Sequence, residues 1–334
     1  MLSKPLGRIV AGLIVVIIVM VAWFALQADP LFHGKGKNVI VTVSNGESLS
    51  ALANAIHAKG VIASTLAFQI DTTLFGSFQV AAGSYEIAQG SSFSHVRSVF
   101  SAPPNVVTVD VTAGLTLHEV AFDVAEGEGN SYGDRFAQLA TADKTPSPFH
   151  SSGSLEGLIG TGEYIIRPGE SPAKLATTME ERFVKQAASV DLTPSTTLNG
   201  LNAYQLVIAA SIVEKEGYYP VNMPKVARVI FNRLARGGPL QMDATVLYYL
   251  GKDGGTVTPA MLQTQEPYNT YLNTGLTPTP ICTISTIAMR ATLHPPAGSW
   301  LYFTLINQDG TMAFSTTFAQ QLHEEKLAQQ NGIG

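Results

Sequence analysis

Ala209-Ala-Ser-Ile-Val-Glu-Lys-Glu-Gly217 is the stretch on which the reading of this chain turns. It predicts an apolar helix over Ala203 to Glu216 that ends in two carboxylates and a glycine, followed by the aromatic pair Tyr218 and Tyr219. A glutamate in the last helical turn meets the negative end of the helix dipole, and apolar neighbours withhold water from it. Both effects favour the protonated carboxyl, the form that acts as a general acid. Residues three, four and seven positions back share a helix face, so Glu216 lies over Ala209, Ile212 and Val213, whereas Glu214 lies over Val207, Ala210 and Ser211. Glu216 has the drier stripe. It also borders Gly217, where a helix can stop in a left-handed cap and leave room for a ligand. Glu216 is therefore the expected acid, while a pair of solvated carboxylates at a fraying helix end is the alternative that the residues alone leave open.

Working outward, the chain from Leu155 reads as a compact α+β domain. A helix from Ser171 to Ala187 precedes the glutamate helix. Asn222 is expected to cap a third, with Pro224 at its start, Val226, Ile230 and Phe231 inside, and Gly237-Gly238 as its stop. Asp243 is expected to cap a fourth, Ala244 to Leu250, ended by Gly251. Upstream, a small unit recurs: an apolar strand residue, a turn glycine three later, a Ser or Thr two after that, then apolar residues at helical spacing. Its instances start at Val43, Ile87, Val111 and Ile166, with glycines 46, 90, 114 and 169 and hydroxyls Ser48, Ser92, Thr116 and Ser171. Alternation makes the strand, glycine permits the turn and the hydroxyl caps the helix, so strands and helices alternate. Thr116 with Glu119 fits a capping box, and Pro172 suits a first helical position. Gly133 to Gly153, with Pro146 and Pro148, is the expected boundary region, with room for a short helix over Asp134 to Thr141.

The amino terminus carries eighteen residues without a charge, Ile9 to Leu26, which span roughly 27 Å as a helix. Lys4, Arg8 and the terminal amine flank the short side, so the positive-inside rule keeps residues 1–8 in the cytoplasm and exports the rest. Residues 9–26 are expected to be an uncleaved single-pass anchor in the cell membrane, and 27–38 a short tether. The run exceeds a usual signal-peptide apolar region, and a cut after Ala28 would put Leu26 at a position that wants a small residue.

At 334 residues and 46% hydrophobic, the chain is long enough for about two domains. Charged residues make up 13% with a net of −5 and no basic block, which argues against a nucleic-acid partner. A lone cysteine, Cys282, rules out a disulfide framework. The seven histidines never fall at metal-ligand spacing, so neither a metal site nor a cofactor is implied.

Asn38 to Phe100, opening Val-Thr-Val-x-x-Gly-x-Ser-Leu, resembles a LysM-like module, a small fold associated with N-acetylated glycans such as peptidoglycan. A second resemblance covers nearly the whole exported chain. Ala210-Ser-Ile-Val-Glu-Lys-Glu216, Val226 to Leu234, Leu240-Gln-Met-Asp-Ala-Thr-Val246, Tyr268-Asn-Thr-Tyr271, Gly275 to Ile281, His294-Pro295 and Leu301-Tyr-Phe303 are similar, in order and spacing, to the endolytic murein transglycosylases of the YceG-like family. The resemblance implies α+β architecture: an N-terminal transmembrane helix, a small LysM-like α/β module within 39–130, and a C-terminal mixed α+β catalytic domain over 150–334.

It also implies cleavage inside peptidoglycan glycan strands without water, leaving 1,6-anhydro-N-acetylmuramoyl ends and limiting nascent strand length, with peptidoglycan synthases as a partner class. The family's essential glutamate, the second of Glu-Lys-Glu, maps to Glu216. Glu214, Gln241, Asp243, Thr245, Tyr268, Asn269 and Tyr271 are the expected substrate-binding residues. Among them Asp243 is also readable as a helix cap, and Gln241 and Thr245 as turn residues. Glu214 and Lys215 read as a local pair that tunes Glu216, and Arg233 as a contact for a peptide carboxylate or an exposed helix residue. The chain departs from the family pattern at Leu158-Ile-Gly-Thr-Gly162 and at Met312. Two other functions stay open at this level: a non-catalytic peptidoglycan-binding scaffold, and a two-carboxylate muramidase using Glu216 with Asp243.

Overall fold

The repeated turn glycines and hydroxyls punctuate the fold as their local chemistry requires. In the computed structural model, which describes residues 4–29, 36–141, 145–150, 153–217 and 219–333, Ser48, Ser92, Thr116 and Ser171 each accept a hydrogen bond from the backbone N–H three residues on. Thr116 and Glu119 close the capping box in both directions. Tyr218, residues 30–35 of the tether and parts of the 133–153 boundary region lie outside the described residues.

The chain divides into two compact units. The first comprises Met1–Thr108 with Ile165–Gly169. It holds α1 (Lys4–Ala28), β1 (Asn38–Val43), α2 (Leu49–Ala58), α3 (Thr65–Leu74), β2 (Gly83–Ala88) and α4 (Phe93–Ser101). Strands β1 and β2 pair antiparallel, with Val41 opposite Tyr85 and Val39 opposite Ile87. Alternation sends Val41, Val43, Tyr85 and Ile87 inward, where they meet Leu52 and Ile56 of α2, Phe68 of α3 and Phe93, Val96 and Phe100 of α4. Asp71, buried on α3, is paired with Arg97 of α4, so the one charge between Lys59 and Glu86 is neutralised inside the unit. Helix α1 contains one span, Arg8–Ala28, long and apolar enough to cross a membrane.

The second unit comprises Val109–Tyr164 and Glu170–Gly334. The chain enters it within β3 (Val107–Val111) and continues through α5 (Leu117–Glu128), α6 (Asn130–Thr141), β4 (Gly162–Ile166) and α7 (Pro172–Ala188). Then follow α8 (Ala203–Glu216), α9 (Met223–Ala235), α10 (Asp243–Tyr249), α11 (Thr286–Leu293), β5 (Tyr302–Leu305), β6 (Met312–Ser315) and α12 (Phe318–Gln330). Strands β3 and β4 form one two-stranded sheet and β5 and β6 another. Helix α8 is the core of the unit, buried from Leu206 to Val213 among α9, α10 and α11. Its one buried hydroxyl, Ser211, donates to the Ile208 carbonyl at 2.8 Å and accepts from the Ile281 N–H at 3.0 Å, so it leaves no polar group unsatisfied.

Several local expectations give way to tertiary contacts. The compact division falls at Thr108 and Val109 rather than at 133–153. Helices α5 and α6 pack on each other, and α6 packs on α7, so the chain on either side of the Pro-rich stretch shares one core. Gly133 allows that packing: a Cβ there would lie 2.4 Å from the Ala125 Cβ. Gly217 is right-handed, at φ −70°, not the expected left-handed cap. Glycine is needed there for closeness, because a Cβ would lie 2.4 Å from Met223 Cγ at the start of α9. Asn222 precedes α9 without capping it, its side-chain amide donating instead to the Gly310 carbonyl at 2.9 Å. Asp243 likewise makes no cap bond; it is the first residue of α10, after Met242.

Candidate active site

Glu216 closes α8, and the start of α10 lies against it. Its Oε1 accepts the backbone N–H of Ala244, in the first turn of α10, at 3.0 Å. Glu216 is partly buried, and it lines the cleft beside it. Burial pushes the carboxyl up to about 7, and the neighbouring Asp243 carboxylate adds to this. The Ala244 N–H works the other way, as do the charges of Arg233 and Lys215. The proton is thus held by dryness and a neighbouring negative charge, against the pull of a helix amino terminus.

The cleft has two lobes that share Glu216, Asp243, Phe303 and Thr304. One, about 500 Å³, continues past Leu247, Lys252 and Gly254 to Met312 of β6. The other, about 350 Å³, is bounded by Arg233, Gln241, Tyr271, Tyr302 and Gln321. Glu216 therefore sits where the lobes meet, so a chain lying along the cleft would pass the carboxyl in its middle.

The structure brings four of the expected site residues to this cleft: Glu216, Asp243, Gln241 and Tyr271. Asp243 Oδ1 accepts the Tyr271 hydroxyl at 2.5 Å. Burial and the Asp243 carboxylate raise the Tyr271 pKa, so this phenol stays a donor. Gln241 occupies a left-handed backbone conformation, φ +51°, and its N–H donates to the Thr270 carbonyl at 2.9 Å. Its side-chain carbonyl lies 3.4 Å from Arg233 Nη1.

Four others are held elsewhere. Thr245 is fully buried, donating to the Met242 carbonyl at 2.7 Å and meeting the Thr270 hydroxyl at 2.9 Å. Asn269 is equally buried; its amide donates to the carbonyls of Leu262 and Thr264, and its Oδ1 accepts the Tyr271 N–H at 3.0 Å. Both shape the loop that carries Tyr271 and have no face left for sugar. Tyr268 bonds Thr279 at 2.8 Å and packs on Tyr248, away from both lobes. Glu214 accepts from the N–H and hydroxyl of Ser285, at 2.8 and 2.6 Å, and so braces α11 against α8. Nor does Lys215 pair with Glu214: it reaches Asp253 at 2.6 Å and the Gly114 carbonyl at 3.2 Å.

Arg233 is half-buried and is not an exposed helix residue. Its Nε donates to the Leu301 carbonyl at 2.5 Å, Nη1 donates to the Leu240 carbonyl, and the guanidinium lies 5.1 Å from the Tyr302 ring centroid. This fixes β5 and the Gln241 turn on either side of Glu216. The far wall, from β5, β6 and α12, escapes residue-by-residue reading. Leu301-Tyr-Phe303 and Met312 were its traces in the sequence, because cleft-facing and core-facing residues share the same apolar and aromatic character.

A buried carboxyl outside the cleft went unassigned in the sequence. Glu156, 5% exposed, accepts the Leu117 N–H at the start of α5 and the Tyr248 hydroxyl of α10 at 3.0 Å. Burial pushes its pKa up to about 7. Its signal was a lone glutamate between Leu155 and Gly157 in an otherwise apolar stretch.

Comparison with known proteins gives a consistent result. The YceG-like family matches the chain over residues 41–327. An endolytic murein transglycosylase of Bacillus subtilis is 28% identical over 310 residues, covering 87% of this chain and 85% of that protein. One from Streptococcus pneumoniae is 25% identical over 338 residues, 90% of this chain but 60% of the longer relative. Among solved structures, a yceG-like protein of Listeria monocytogenes superposes with a TM-score of 0.61 at 24% identity, covering 86% of this chain and 98% of that one; the likeness is one of fold.

Proposed function

The chain belongs to the YceG-like family, and from that premise we propose that it is an endolytic lytic transglycosylase that cuts peptidoglycan glycan strands and leaves 1,6-anhydro-N-acetylmuramoyl ends. The observation that carries the reading is Glu216, a carboxyl raised to about 7 at the junction of two cleft lobes. Names of relatives support the substrate: those from B. subtilis and S. pneumoniae are endolytic murein transglycosylases.

Glu216 protonates the glycosidic oxygen, the muramoyl N-acetyl group supports the cation-like centre, and the sugar's own C6 hydroxyl attacks it. Glu216, now ionised, takes that hydroxyl's proton, so no water is consumed. An attacker tethered to the reacting ring gains from proximity, and a cleft that sheds water suppresses hydrolysis. The Ala244 N–H suits the second half of this cycle, when Glu216 is a carboxylate. Gln241, Tyr271 and Asp243 are the groups available to hold sugar hydroxyls and amides. In this reading α1 anchors the protein in the cell membrane with its amino terminus in the cytoplasm. The Asn38–Phe100 module is a LysM-like glycan contact, and cleavage limits nascent strands beside the synthases that make them.

Asp243 keeps one competing reading in view, because it lines both lobes with Glu216. A two-carboxylate muramidase would use it to activate water. Mass spectrometry of products from purified strands separates the two: anhydro-muramoyl ends are expected, reducing ends would give the site to water, and uncut strands would leave only a scaffold.

The same residue has a signature in pH. Because Glu216 must be protonated to donate, kcat/KM is expected to fall as pH rises through about 7. Asp243→Asn removes a negative neighbour, lowers the Glu216 pKa and shifts that falling limb to lower pH, with cleavage retained on the acid side. Loss of cleavage at every pH would instead make Asp243 a reacting group.

A further inference from the structure

We propose that the outward face of α3 docks on the lipid bilayer that holds α1, so that the first unit lies on the membrane surface instead of swinging free on its tether. The inference rests on α1 being an uncleaved anchor, and four observations carry it.

First, outside α1, the exposed large hydrophobic side chains described in the first unit all belong to α3 and the residue that ends it: Leu66 at 59%, Leu74 at 67% and Phe75 at 68%. Scattered exposed leucines are ordinary, but two such residues on one ten-residue helix and a third that caps it form a patch. Leu66, half-buried Ile70 and Leu74 fall at i, i+4 and i+8, a single stripe, while Ala67, Phe68 and Asp71 form the buried one.

Second, the segment is nearly free of charge. Between Lys59 and Glu86 the sequence has one charged residue, Asp71, and it is buried against Arg97. A surface helix facing water would be expected to carry lysines and glutamates; a face that enters lipid cannot.

Third, α1 packs against α3, and its Phe24 ring meets Phe93 edge-on at 6.4 Å, in a chain of rings continuing to Phe68 of α3. Phe24 and Ala28 both lie against the buried core of the unit. The contact is thus made by residues that belong to the apolar span itself, Arg8–Ala28.

Fourth, the lengths agree. Twenty-one helical residues rise about 31 Å, close to the roughly 30 Å hydrocarbon core. Phe24 then lies about 6 Å below the outer end of the span. Helices in the membrane interface bury their apolar face by about 5–10 Å, so an α3 packed at that level has its stripe at the headgroup and acyl boundary. Aromatic side chains such as Phe75 suit such a helix.

The test uses the full chain with Cys282→Ala, spin-labelled at single cysteines and reconstituted in vesicles of phosphatidylethanolamine and phosphatidylglycerol. Labels go at Leu74, at Val15 inside α1, and at Asn45 in the exposed turn after β1. Power saturation with oxygen and with a water-soluble nickel chelate reads the depth of each. The expected result is a Leu74 label shielded from nickel several-fold relative to Asn45 and enriched in oxygen, as Val15 is. A Leu74 label as open to nickel as Asn45, with Val15 in lipid, would overturn the docking and leave the anchor standing. A Val15 label open to nickel would overturn both.

Discussion

Glu216→Gln is expected to lower cleavage of purified glycan strands by roughly 10⁴-fold, at the upper end of what one acid-base group contributes, because in the proposed mechanism a single side chain both gives and takes the proton. Glutamine has the shape and charge of the protonated acid. Its carbonyl can still accept the Ala244 N–H, which Glu216 accepts at 3.0 Å, and it no longer faces Asp243 as a like charge. Fold and strand binding should therefore survive. The measurements are product formation by mass spectrometry, thermal unfolding, and retention of the variant on insoluble strands. Cleavage at the wild-type rate in the variant would remove Glu216 from the chemistry. An unfolded variant would be answered by Glu216→Asp, which keeps the acid but withdraws it by one methylene, and is expected to fold and to cut slowly.

The second large effect concerns stability. Glu156 is raised to about 7 by burial, so between about 4.5 and 7 the folded chain holds a proton that the unfolded chain has lost. The sign follows: the folded state binds more protons in this window, so stability falls as pH rises through it and levels off above. The change corresponds to about 3 kcal/mol for this one group, taken from its displacement alone. Glu156→Gln removes the titration while keeping a carbonyl for the Leu117 N–H, 3.1 Å away. Urea unfolding at pH 5 and 7.5 should accordingly show a marked loss in the wild type and about half of it in the variant, the remainder coming from Glu216, whose carboxyl is raised to a similar value. Equal losses in both proteins would mean that Glu156 is already ionised at pH 5. Since Tyr248 joins Glu156 to α10, and the other end of α10 gives Glu216 its N–H, the variant also tests whether this brace matters to cleavage.

Much of the frame was legible because it is local. Ser48, Ser92, Thr116 and Ser171 each bond a backbone N–H three residues away, and Gly46, Gly90, Gly114 and Gly169 each take a positive φ beside them. Such bonds form wherever that spacing recurs, whatever lies around them. The apolar α1 and the all-round apolar α8 were readable for a similar reason: a run of side chains without charge has few places to go. Glu216 itself was selected on its helix stripe and its position in the last turn.

The company Glu216 keeps was not legible. It accepts a hydrogen bond from Ala244, 28 positions on, and that N–H opposes the protonation that the end of α8 favours. Two helix ends meet at Glu216, the last turn of α8 and the first turn of α10, and only the first is local in sequence. Thr245, Asn269 and Tyr268 have the residue types of a sugar site, but the first two spend their polar atoms on the loop that presents Tyr271, Tyr268 bonds Thr279, and Glu214 spends its carboxylate on Ser285. Hydrogen-bonding capacity is a property of the residue, whereas what is left of it after folding depends on which distant elements arrive. By itself, then, the amino-acid order determined α7 and α8, the hydroxyl caps of the four recurring units and the place of one carboxyl at a helix end, since all of these follow from neighbours within a few residues. Which polar side chains remained free to meet a glycan was decided only when α8, α10 and the β5–β6 hairpin packed together, because that choice belongs to contacts between segments far apart along the chain.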